Sequence, residues 1–75
     1  MKEHMKALRD HILMYESREQ KTHMETCIDC DISLSELDKI IGNKAKGIYL
    51  ETAFKIADGT KTTLDGIFGL TGGAV

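Results

Sequence analysis

Seventy-five residues make one small domain, and a 41% apolar, 29% charged composition suits a folded globular chain. No apolar run approaches the roughly 20 residues needed to cross a bilayer, and charges at Lys2, Glu3 and Lys6 with no apolar stretch behind them do not read as a signal peptide; the expected location is the cytoplasm. The formal net charge of −2 argues against strong nonspecific binding to phosphates, yet residues 39–50 carry Lys39, Lys44 and Lys46 and no acid, a local +3.

The chain contains no proline, so nothing of that kind interrupts a helix. Met1, Met5, Leu8, Ile12 and Tyr15 fall on one arc at 100° per residue and predict a first amphipathic helix over about 3–17. Leu13 and Met14 lie off that arc, and Ser17 to Lys21 reads as a connection. Thr22 with Glu25 three residues on is a capping-box signature for a second helix over about 23–29, expected to bury Met24, Cys27 and Ile28. Ser33 with Glu36 repeats the signature for a third helix, with Leu37, Ile40 and Ile41 inward. Gly42-Asn43 stops it, since both residues tolerate left-handed backbone. Leu50, Ala53, Phe54 and Ala57 recur at i, i+3, i+4, i+7 with Ile56 beside them and predict a fourth helix over about 50–58, ended by Asp58-Gly59. Thr63 caps a short fifth helix carrying Leu64, Ile67 and Phe68. Residues 69–75, with three glycines, read as a flexible tail on a 1–68 domain.

Two capped helices separated only by Cys30-Asp31-Ile32-Ser33 suggest a helix-turn-helix, whose second helix can enter a major groove. The stretch from Thr22 to Phe68 resembles the lambda-repressor-like (Cro/cI, XRE) family. Cys27 stands where the family has a small residue at the helix crossing, Asp31 where the turn often has glycine, and Leu37 where an aliphatic residue anchors the recognition helix. Lys55-Ile56-Ala57, then Thr63-Leu64-Asp65 and Ile67-Phe68, are similar to the family's fourth- and fifth-helix pattern. Lys21, His23 and Gly59-Thr60 depart from that pattern. The resemblance implies an all-α, compact five-helix DNA-binding domain with the helix-turn-helix at helices 2–3. It further implies a transcriptional regulator of phage or mobile-element type, reading double-stranded DNA as a homodimer.

With Leu37 inward, Ser35 and Lys39 project at about 160–200° from it and Asp38 at about 100°. Lys39 can donate to guanine O6/N7, Ser35 can bond a base or a phosphate, Leu34 can touch a thymine methyl, and Asp38 can accept from cytosine N4. Ser33, Asn43, Lys44 and Lys46 flank the recognition helix, about 33–42, as further DNA-binding candidates, the two lysines toward phosphates. The first helical turn at His23 is a candidate phosphate seat.

Cys27-x-x-Cys30 with His23 offers three potential metal ligands, one short of a structural zinc set and without a second pair. No strand precedes it, as a thioredoxin-type motif requires. Buried structural thiols are the plainer reading, with a redox or metal role as the alternatives. Paired carboxylates with histidine and a phosphate loop are both lacking, so no enzyme, cofactor, metal or small-molecule substrate is expected, and no membrane partner. The alternative to a DNA-binding regulator is a helical protein-binding module, such as an antirepressor that does not itself bind DNA; net negative charge and sparse basic residues favour it.

Overall fold

The computed structural model describes residues 2–44 and 47–68. Met1, Lys46 and the 69–75 tail, to each of which the sequence assigns a place, lie outside the described residues. Within them the chain forms five helices and no strand: α1 Lys2–Glu19, α2 His23–Cys30, α3 Leu34–Ile41, α4 Leu50–Gly59 and α5 Leu64–Phe68. The all-α expectation holds.

The core follows the amphipathic stripe of α1. Met5, Leu8, Ile12 and Tyr15 are buried, and Leu8 and Ile12 meet Leu37, Ile40, Ile56 and Ile67 from three other helices. Each fully buried Leu or Ile contributes about 1.5–3 kcal/mol. α1 packs on α3 and α5, α2 on α3 and α4, and α4 on α5. Polar contacts tie the same seams. Arg9 Nε donates to the Ile41 carbonyl at 2.9 Å, satisfying an orphan acceptor at the end of α3, and the His4 ring meets Phe68 edge-on at 5.8 Å.

Four helices end the same way. Gln20, Asp31, Asn43 and Lys61 all take left-handed backbone, with φ of 54, 56, 60 and 56°. The next amide reaches back to the carbonyl five residues earlier: Lys21 to Glu16, Ile32 to Cys27, Lys44 to Lys39, Thr62 to Ala57. These are Schellman-type closures built without glycine in the left-handed position. Two predicted stops therefore shift. Gly42 keeps an ordinary φ of −78° and Asn43 makes the left-handed step, while Gly59 stays inside α4 and Lys61 makes that step. The supposed connection from Ser17 becomes the last turn of α1 as far as Glu19.

Two helix faces also differ from the sequence expectation. α2 buries Thr26, Cys27 and Cys30, whereas Met24 and Ile28 are 62% and 75% exposed. α4 buries Thr52, Ala53, Ile56 and Ala57, and leaves Leu50 and Phe54 outside. The physical reason is close approach between small side chains. A Cβ on Gly59 would stand 2.5 Å from the Asp29 carbonyl oxygen and 2.6 Å from Cys30 Cα, so α4 touches α2 backbone to backbone. The buried hydroxyls do not go unpaired: Thr26 donates to Glu16 at 2.8 Å and Thr52 to Glu36 at 3.3 Å. Such residues count as polar in a periodicity, and the larger hydrophobics beside them misdirect it.

Candidate nucleic-acid interface

The segment from Thr22 to Lys44 is held by local hydrogen bonds. Thr22 Oγ1 accepts from the Glu25 amide at 3.1 Å and Glu25 Oε1 accepts from the Thr22 amide at 2.9 Å, a complete capping box. Asp31 turns the chain at φ 56° and ψ 45°, a conformation that Asp tolerates better than most residues. Ile32 drops into the core and Ser33 caps α3, accepting from the Glu36 amide at 3.1 Å while Glu36 faces back to the Ser33 amide. Glu36 Oε2 also accepts from Thr52 Oγ1, which ties the start of α3 to α4.

Leu37 and Ile40 anchor α3, and Leu34, Ser35, Asp38 and Lys39 are exposed on its other side, followed by exposed Asn43 and Lys44. These six sequence-selected residues share one continuous segment of surface. Ser33 sits at its edge with its hydroxyl committed: Oγ donates to Glu36 Oε1 at 3.3 Å and so has no proton left for a base or phosphate. Lys46 lies outside the described residues.

His23 is in a different environment from the one the sequence suggested. Its Nδ1 lies 2.8 Å from Glu16 Oε2, and Glu16, only 8% exposed, receives the Thr26 hydroxyl on the same oxygen. The α2 N-terminus thus already carries the carboxylates of Glu16 and Glu25, which satisfy the local donors and oppose a phosphate there. Sequence reasoning missed Glu16. Its position at the inner edge of the α1 stripe, seven residues before a histidine, was the available signal.

Two other basic groups lie in pairings of their own. Lys21 Nζ meets Asp29 Oδ2 at 3.1 Å beside the Tyr15 hydroxyl, and Arg9 spans to α3. The Tyr15 and Lys21 hydrogen bonds hold the Asp29 carboxyl below the usual carboxylate range.

Neither thiol is poised for chemistry. Burial, chiefly, pushes Cys30 up to about 11, and burial also raises Cys27, with Asp38, Glu16 and Glu36 adding to it. Cys30 Sγ points at the Ile56 carbonyl, 3.9 Å away, and both cysteines are free and buried. Among the described residues no three His, Cys, Asp or Glu side chains converge as metal ligands, and no helix is long and apolar enough to cross a membrane.

Comparison with protein-family models, with curated proteins and with solved structures finds no match to this chain.

Proposed function

We propose that this chain is a sequence-specific DNA-binding transcriptional regulator of the lambda-repressor-like helix-turn-helix class, with α3 as its recognition helix. The observation that supports this reading best is the sidedness of α3. Leu37 and Ile40 root it in the core, while Ser35, Asp38 and Lys39 stand outward beside Lys44, on a helix joined to α2 by three residues. A helix so mounted can lie in a major groove with its first two turns at the base edges. Lys39 reads guanine, Ser35 a base or phosphate, and Leu34 a thymine methyl. Lys44 and Lys46 hold phosphates. His23 is left out of the phosphate contacts, because Nδ1 is taken by Glu16 and the carboxylates of Glu16 and Glu25 oppose a phosphate there.

The test is a salt titration of each variant on a selected cognate duplex and a scrambled one. Lys39→Ala weakens specific binding by about 1–3 kcal/mol and relaxes preference at one position. Lys44→Ala and Lys46→Ala weaken all sequences evenly and lower the salt slope by about one unit per half-site. An unchanged cognate-to-scrambled ratio in Lys39→Ala, with the fold intact, removes Lys39 as a base reader. A second reading, the protein-binding module, draws support from the exposed Met24 and Ile28 on α2 and from the acids Glu36 and Asp38 beside Lys39. It takes the lead if no duplex is selected from a genomic pool.

A further inference from the structure

Tyr49, Leu50 and Phe54 leave a monomer with three large apolar side chains 85%, 65% and 54% exposed at the start of one helix. Leu50 and Phe54 are four residues apart, so they stand one above the other on α4. Behind Phe54 the surface dips into a shallow groove of about 350 Å³ between α4 and α5, walled by Phe54, Ala57 and Leu64 and edged by Asp58, Asp65 and two threonines. The next row around α4 is charged with alternating sign. Glu51 is exposed, and four residues on Lys55 reaches Asp31 only at 4.0 Å, the long limit of an ion pair.

We propose that this face of α4 and its groove dock a second copy of the same chain, the two α4 helices crossing antiparallel about a twofold axis. Charge selects that occupant. A twofold antiparallel crossing sets Glu51 of one copy against Lys55 of the other, and the same pair recurs by symmetry. A surface carrying one acid and one base at i and i+4 is therefore complementary to itself. In that register Leu50 of each copy stands opposite residue 56 of the other, at the mouth of its groove, and Phe54 packs across the crossing itself.

The area fits a dimer that dissociates. Two aromatic side chains offer about 150–250 Å² each, so with Leu50 the patch supplies of order 400 Å², about half of the roughly 800 Å² per partner of a standard interface. The charged row and the groove rim make up the remainder. Dimerisation is then expected in the micromolar range. The proposal supplies the second copy that paired half-sites require, and is tested without DNA, so that its failure leaves the DNA-binding reading standing and the reverse.

The experiment is sedimentation equilibrium of the full chain from about 1 µM to about 1 mM. The parent is expected to pass from monomer to dimer. Leu50→Ala and Phe54→Ala, both exposed in the monomer, should lower the association constant by about tenfold or more while keeping the helical circular dichroism of the parent. Glu51→Lys and Lys55→Glu should each dimerise poorly alone, since like charges then face each other, and an equimolar mixture of the two should regain association. A parent that stays monomeric throughout, a dimer indifferent to Leu50 and Phe54, or a mixture no better than its components each overturns the proposal. The charge variants keep the test decisive should an apolar variant lose its fold.

Discussion

Replacing Gly59 by alanine tests the backbone-to-backbone approach of α4 to α2. Gly59 ends α4, and on helix propensity alone the substitution gains at most about 1 kcal/mol. The added Cβ, however, would stand 2.5 Å from the Asp29 oxygen, 2.6 Å from Cys30 Cα and 2.8 Å from the Asp29 carbonyl carbon, all backbone atoms of the end of α2. Backbone cannot rotate aside as a side chain does. Relief to an ordinary contact needs α2 and α4 to part by about 1 Å, which opens the packing of Cys30 against Ile56 and Ala57 at the centre of the core. Overpacking of this kind costs about 1–3 kcal/mol and occasionally more. The expected net loss is about 2 kcal/mol, which for a domain of this size lowers Tm by about 8–16 °C. The assay is thermal and urea unfolding followed by circular dichroism, with Gly66→Ala as control. There the new Cβ meets only the Thr62 methyl and the Thr63 hydroxyl, side-chain atoms that can turn, and stability should stay within about 1 kcal/mol of the parent. If Gly59→Ala instead stabilises by the propensity gain, the α2–α4 seam is not held at this distance and the argument for the buried faces of both helices fails with it.

Other predictions follow from the polar contacts and turns. Thr60 gives its own proton to the Ile56 carbonyl at 2.8 Å, so His11 Nε2 donates to Thr60 Oγ1 at 2.9 Å. Burial, then the charge of Arg18, lowers the His11 pKa from 6.5. The unfolded chain therefore takes up the proton first: the contribution is whole above 6.5 and is lost as pH falls below it through the folded pKa. His11→Asn should flatten urea midpoints measured between about pH 5 and pH 7; an unaltered slope assigns the effect elsewhere. Lys61→Gly relieves left-handed strain of about 1 kcal/mol and should raise Tm in thermal unfolding; an unchanged or lower Tm would show that the turn stores no such strain. Native Cys30 should react with a maleimide only as fast as the chain opens, so labelling should accelerate with urea; rapid labelling of the folded protein would contradict its burial and its pKa of about 11.

Helix positions were legible because their signals are local. A capping box links residues three apart, so Thr22 with Glu25 and Ser33 with Glu36 marked both starts without knowledge of the rest of the chain. The inward stripes of α1 and α3 were legible for a similar reason: each gathers most of its large hydrophobic residues on one face, and the few off it, Leu13 and Met14 on α1 and Leu34 on α3, make no competing stripe. The outward set Leu34, Ser35, Asp38 and Lys39 then followed by exclusion. What tertiary structure alone decided is which face of α2 and α4 turns inward. Both helices offer a competing pair of large hydrophobics, Met24 with Ile28 and Leu50 with Phe54, and both bury instead a mostly small surface of Thr, Cys, Ala and Gly, in which Ile56 of α4 is the one large side chain. A small surface carries little hydrophobic signal in sequence, yet it lets two helices meet at backbone distance, with the buried hydroxyls paired to Glu16 and Glu36 from other elements. Those partners lie 10 and 16 residues away along the chain. Neither periodicity nor capping reaches that far, and only the assembled core brings them together.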